Sequence, residues 1–182
     1  MIVCKFGGTS VGDAEAIART AGIVGARLGR QPVVVTSALA GTTNRLLEIA
    51  DQAARGQLIV ALTILEELRT RHFAAIDALG VGDDAELVSD TGALFDELAH
   101  LAEALSVLGD ATARSRDAVA AMGERLSAPI VAAALARIGV PAVFVDARRV
   151  LATTASKSGG LTDSQSRTIS GRRASSSRAH ST

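Results

Sequence analysis

The sequence predicts an α/β fold with a mostly parallel sheet, and two observations carry that prediction. Three short β-rich runs, "IVCKF" at 2–6, "PVVVTSA" at 32–38 and "PAVFVDA" at 141–147, are separated by stretches of helical periodicity. Two of these runs are continuously apolar rather than alternating, which suits parallel strands buried on both faces. The opening order is strand, glycine turn, helix, strand, which is a βαβ unit.

The first strand ends abruptly in Lys5, Phe6, Gly7, Gly8, Thr9 and Ser10. Ile17, Ala21, Val24 and Leu28 then recur at helical spacing, with Asp13 as the expected N-cap and Gly29 as the expected stop. The second strand leads into "SALAGTTN" at 37–44. The middle of the chain is helical. Leu58, Leu62, Leu65, Arg69, His72, Ile76 and Leu79 form one series, and Leu87, Thr91, Leu94, Leu98, Leu101, Leu105 and Leu108 form another. "GVGDD" separates them, so the pair reads as an antiparallel helical hairpin over 58–108. Asp83 with Glu86 resembles a capping box at the second start. A further helical stretch at about 113–122 runs into "MGERLSAPIVAAALARIG". There Ser127 is the expected cap, with Pro129 in the first turn, where its missing N–H does no harm. Gly139 is the expected end of that helix, leading to the third strand.

Composition bounds the rest. The 182 residues fit one domain with a tail. Aromatic residues are only 2% of the chain, so the core must be Ala, Leu, Val and Ile. The single cysteine, Cys4, excludes an internal disulfide and reads as a small buried hydrophobe. His72 and His100 read as packed or half-exposed side chains, since no His/Cys/Asp cluster has metal-ligand spacing. No apolar run approaches the ~20 residues of a membrane span. The N-terminus also lacks a basic segment followed by an apolar one. A cytoplasmic protein with no membrane partner is therefore expected.

Charge is distributed unevenly. Residues 1–151 hold 14 Lys/Arg against 18 Asp/Glu, whereas 152–182 hold five basic residues and one acid, Asp163. That last segment contains 14 Ser/Thr and only two large aliphatics, Leu161 and Ile169, so it is expected to be disordered. Its five basic residues, without aromatics, attached to an acidic body, argue against a nucleic-acid partner.

Three segments bring chemistry-bearing residues to strand ends and helix starts. In "KFGGTS", glycines would let backbone N–H groups approach phosphate oxygens, and Lys5 could neutralise a transferring phosphoryl group. A plain turn fits the same residues, because neither a Walker A nor a G-x-G-x-x-G spacing is present. In "SALAGTTN", Ser37, Gly41, Thr42, Thr43 and Asn44 cluster at the C-terminal end of a parallel strand, where open α/β sheets bind ligands. A cap by Thr43 or Asn44 would explain one of these residues. In "GERLSA" at 123–128, Glu124 could face a substrate ammonium or simply favour a helix start.

Together "KFGGTSV" at 5–11, "SALAGTTN" and "GERLSA", in this order, resemble the aspartate kinases (aspartokinases) of the amino-acid-kinase superfamily. The resemblance covers about residues 1–151, the N-terminal part of a catalytic domain, with the Ser/Arg-rich 152–182 as a tail. It implies a three-layer α/β/α fold, truncated, with a long helical hairpin insertion. It also implies ATP-dependent phosphorylation of the L-aspartate β-carboxylate, the first step of lysine, threonine and methionine biosynthesis, with Mg2+ brought by the nucleotide. By the same resemblance Lys5 is the catalytic residue, and Lys5, Gly7, Gly8, Thr9, Ser10, Ser37 and Gly41 bind ATP. Thr43 and Glu124 bind aspartate, Glu124 facing its α-ammonium. No protein metal ligand is implied, and a homo-oligomer is left open.

The sequence departs from the family pattern in its last part. The family's later motif, roughly "TLGRGGSDYSA", has no counterpart, and "KSGGLTDSQS" at 157–166 lacks an arginine before its glycines. Thr154 stands where the family has an aspartate. The expectation is a truncation or a change of reading frame after about codon 153, and weak or absent kinase activity. The competing expectation is a nonenzymatic interaction fragment that uses the 58–108 hairpin.

Overall fold

The computed structural model describes residues 1–149. The element order is β1 (Ile2–Phe6), α1 (Ala14–Gly25), β2 (Pro32–Thr36), α2 (Thr42–Ala54), α3 (Leu58–Ala78), α4 (Ala85–Leu108), α5 (Ala113–Ala120) and α6 (Met122–Arg137). Short 3-10 turns follow β1 at Gly8–Val11 and α1 at Leu28–Arg30. The Ser/Arg-rich segment 152–182 lies outside the described residues.

β1 and β2 pair in parallel, with Val3 opposite Val33 and Lys5 opposite Val35. The βαβ unit expected from the opening is therefore present, with α1 as its crossover. Asp13 caps α1 as expected, its carboxylate accepting from the Ala16 N–H at 2.8 Å. The helix ends at Gly25 rather than at Gly29, and Leu28 is exposed in the following turn.

Helices cover one face of this sheet. Phe6 and Val34 pack against a cluster of Val11, Ile17, Ala21, Val24, Ile130 and Val131. The other face carries Val3, Val33 and Val35, which are exposed. Residues 141–146 do not join the sheet, contrary to the third strand expected at 141–147. Val143, at 87% exposure, Phe144 and Val145 instead lie in an irregular segment. β propensity proposes a strand, but a strand needs a hydrogen-bonded neighbour, and this run has none among the described residues.

The hairpin forms as the periodicity predicts. The buried positions of α4 are Leu87, Thr91, Phe95, Leu98, Ala102 and Leu105. This stripe drifts off the expected series, leaving Leu94 and Leu101 half-buried and Leu108 exposed. The reason is that an α-helix repeats at 3.6 residues rather than 3.5. The cap of α4 is Asp84, which accepts from the Leu87 N–H at 3.0 Å, and not Asp83. Leu65, Leu68, Phe95 and Leu98 join Leu46, Ile49 and Leu126 in a second, all-helical cluster. Phe73 packs against both clusters.

The start of α6 also differs from expectation. The helix begins at Met122, so Ser127 and Pro129 lie inside it. Ser127 is buried and does not cap; its hydroxyl donates to the Ser37 carbonyl at 2.8 Å. Arg125 forms a two-pronged contact with the Glu97 carboxylate at 2.9 and 2.8 Å, tying α6 to α4 and holding that carboxyl below its usual range. Gly139 ends the segment at φ +78, with the Val140 N–H returned to the Leu135 carbonyl. The stretch Ala113–Arg137, spanning α5 and α6, is long and apolar enough by composition to cross a membrane, unlike the sequence expectation. Half of that apolar window is packed inside the fold, where Met122, Leu126, Ile130 and Val131 are core.

His72 is fully buried between α3 and α4. Its Nδ1 meets the Leu68 carbonyl at 2.7 Å, which requires a proton on that nitrogen, and its ring lies edge-on to Phe95 at 5.4 Å. Burial pushes its pKa down, with the Leu68 hydrogen bond opposing and the nearby Arg71 charge adding to the fall. The folded chain therefore takes up this proton less readily than the unfolded chain does. The associated stability is complete above the ordinary imidazole value and declines as pH drops below it. Lowering pH from about 7.5 to about 5.5 is expected to reduce the thermal midpoint, and His72→Gln to flatten that dependence. Melting curves across this range, with carboxylate titration lying lower, check the outcome.

Candidate active site

Parallel pairing brings the ends of β1 and β2 side by side. The ladder runs one step past the strands, with the Ser37 N–H donating to the Phe6 carbonyl at 3.1 Å. Residues 7–12 and 37–41 therefore leave the same sheet edge as neighbours, as expected where a parallel sheet feeds two helices.

The first loop turns tightly, with the Ser10 N–H on the Gly7 carbonyl at 2.9 Å. A Cβ at Gly7 would meet nothing within 4 Å among the described residues, so their packing gives no reason for glycine there. A Cβ at Gly8 would make only ordinary contact with the Ala38 carbonyl at 3.5 Å. Gly12 is the sterically constrained one: a Cβ would lie 3.1 Å from the Gly8 carbonyl and 3.2 Å from the Ala40 Cβ. Thr9 is exposed and Ser10 half-buried. The Ser10 carbonyl accepts from the buried Thr20 hydroxyl at 2.7 Å, tying the loop to α1.

The second loop buries Ala38 and Leu39 and reaches α2 through Gly41 at φ +76, a left-handed conformation suited to glycine. Thr42 opens α2 fully buried, and its hydroxyl has no hydrogen-bond partner among the described residues. Among the described residues no side chain caps this helix start. Thr43, the next residue, is half-buried.

α6 closes on this loop from the side. A Cβ at Gly123 would come within 2.8 Å of the Ala38 Cβ and 3.7 Å of the Thr42 side chain, so only glycine allows the approach. That contact puts exposed Glu124 beside the start of α2. Lys5 is exposed on the open face of the sheet, with Val35 as its register partner. Lys5 and Glu124 take part in no ion pair among the described residues. The structure thus brings together Gly7, Gly8, Thr9, Ser10, Ser37 and Gly41 at one sheet edge, with Thr43 and Glu124 at its flank. It places no contact between Lys5 and Glu124.

The model of the amino acid kinase family matches residues 1–174. The chain belongs to the amino acid kinase family. Among curated proteins it is 33% identical over 150 residues to aspartokinase 1, chloroplastic, of Arabidopsis thaliana, covering 80% of this chain and 25% of that protein. It is 34% identical over 152 residues to the aspartokinase of Chlamydia trachomatis, covering 84% and 32% respectively. Among solved structures it resembles aspartokinase III of E. coli in complex with aspartate and ADP, with a TM-score of 0.65 at 29% identity. That likeness covers 76% of this chain and 29% of the other. The chain spans about a quarter to a third of the length of these family members.

Gly123 opens the "GERLSA" motif, but two other residues at the site escape a motif reading: Gly12, crowded by the Gly8 carbonyl and the Ala40 Cβ, and Arg71, on α3, which hydrogen-bonds both loops. Each is defined by a partner distant in sequence, so no local pattern marks it. The two glycines separate packing from openness. In α6, Gly123→Ala gains about 1 kcal/mol of helix propensity but forces an overpacked contact worth about 1–3 kcal/mol. Net destabilisation, with a lower urea midpoint, is expected for Gly123→Ala, whereas Gly7→Ala should move stability by no more than about 0.5 kcal/mol.

Proposed function

We propose that this chain forms the nucleotide end of an aspartate kinase site, and that the whole protein transfers the γ-phosphoryl group of ATP to the β-carboxylate of L-aspartate. One observation carries the reading: two glycine- and hydroxyl-bearing loops leave the same edge of a parallel sheet, and Gly7 faces open space. A loop whose first glycine meets no other part of the described residues suits a ligand that needs the backbone close. The α2 start, uncapped among the described residues, adds backbone N–H groups at the flank of the same edge.

In this reading the β-carboxylate oxygen attacks the γ-phosphorus, the bond to the β–γ bridging oxygen breaks, and ADP leaves, giving 4-phospho-L-aspartate. Little covalent chemistry falls to the protein, which positions and neutralises. Lys5 neutralises charge on the phosphates. Gly7, Gly8, Thr9 and Ser10 shape the phosphate loop, and Ser37 and Gly41 lie near the transferring group. Thr43 and Glu124 hold aspartate, with Glu124 facing its ammonium. Mg2+ enters with the nucleotide. The bound aspartate and ADP named for the E. coli structure support the choice of substrate and nucleotide.

The alternative, an interaction fragment using the hairpin, is less well supported. The middle of the apolar stripes of α3 and α4 is spent inside the chain's own core, around Leu65, Leu68, Phe95 and Leu98, and exposure of large apolar side chains is confined to Ile59, Val60, Val107 and Leu108 at one end of the hairpin.

Calorimetric titration of the 182-residue chain with ATP tests the proposal. Binding is expected, and Lys5→Ala should weaken it about tenfold or more, the loss of one charge-assisted contact. Gly7→Ala should weaken it at unchanged stability. Aspartyl phosphate trapped with hydroxylamine is expected in low yield from this chain. ATP binding indifferent to Lys5 would favour the interaction reading.

A further inference from the structure

Arg71 is not part of any motif, yet it touches both motif loops. Its Nη1 donates to the Ala40 carbonyl at 2.6 Å and its Nη2 donates to the Gly12 carbonyl at 2.8 Å. The acceptors are 31 and 59 residues away along the chain. One guanidinium therefore spans the seam between the β1–α1 loop and the β2–α2 loop, and it does so from the helical hairpin.

Three features make this a built contact. The loops already touch at the seam, where a Cβ at Gly12 would lie 3.2 Å from the Ala40 Cβ, closer than ordinary packing. The rotation of α3 is set by the next residue, His72, buried edge-on to Phe95 and bonded to the Leu68 carbonyl. Among the described residues Arg71 has no carboxylate partner, so its charge is directed at the two carbonyl dipoles. The chemistry is specific to arginine. A planar guanidinium holds two acceptors at fixed separation, whereas a lysine ammonium is a single point on a flexible stem.

We propose that Arg71 is a positioning residue that fixes the two motif loops relative to each other, making the hairpin a brace for the phosphate-binding edge. The brace acts through backbone carbonyls and not on the substrate. Its link to nucleotide binding rests on the cradle reading given above. Ser127 supplies a matching support from α6, its hydroxyl on the Ser37 carbonyl, so the second loop is held by donors from two helices.

Amide hydrogen exchange and ATP titration on the same 182-residue protein test this, comparing wild type, Arg71→Lys and Arg71→Ala. Both variants are expected to lose protection together in residues 8–12 and 39–43, by about tenfold or more, as charge-assisted hydrogen bonds are lost. Amides of α4 around Phe95 and Leu98 should be unchanged, which separates loosening of the loops from global unfolding. Methylguanidinium should restore both loops in Arg71→Ala. ATP affinity should fall in both variants. The proposal is overturned if only one loop responds, if neither does, or if Arg71→Lys behaves as wild type. If both loops loosen and ATP affinity is unmoved, the brace stands and the cradle reading fails.

Discussion

The parallel pairing of β1 with β2 is the constraint on which the rest depends. Antiparallel partners can be joined by a tight turn, but parallel partners need a crossover. Here α1 is that crossover, and it packs Ile17, Ala21 and Val24 against the helix-covered side of the sheet. The same geometry points both strand ends in one direction. Two loops that are distant in sequence thereby become neighbours, joined by the Ser37–Phe6 hydrogen bond. Everything else at the site is an accommodation to that meeting: Gly12 and Gly123 where backbones crowd, Gly41 where the chain turns left-handed, Arg71 and Ser127 where loop carbonyls need donors.

The hairpin shows how a long helical excursion is held in place. Its two helices bury their stripes against α2 and each other, and the Arg125–Glu97 fork ties α4 to α6. Further pairs, Arg45–Glu67 and Arg116–Asp51, connect α2 to α3 and to α5. These are partly exposed, so each adds modestly, and the apolar core carries the packing. Phe73 belongs to both clusters, and Ile76 and Leu87 of the hairpin are buried in the sheet-side one, so the hairpin and the sheet layer meet in a continuous apolar junction.

What the sequence made legible was whatever is encoded locally. Period located α1, α3 and α4, a cap marked the start of α1 alone, and the motif order pointed to the sheet edge. Asp13 was readable as a cap because its partner, Ala16, is three residues away. Ser127 looked like a cap by the same local rule. In the fold its partner is Ser37, 90 residues off, and Pro129 is tolerated within α6. The run at 141–147 has strand composition, but composition does not supply a neighbour to pair with. Arg71 illustrates the limit most clearly. It sits off the apolar stripe and looks like solvated surface, and its role exists only once two remote carbonyls have been brought to it.

The contact between Gly123 and Ala38 makes those two positions a single steric unit. Volume added at one must be removed from the other, because the helix and the loop meet with no side-chain slack between them. A chain that keeps this fold with alanine at 123 is therefore expected to carry glycine at 38, a paired exchange rather than two independent ones. Inheritance would then preserve the sum of the two residues more strictly than either residue alone.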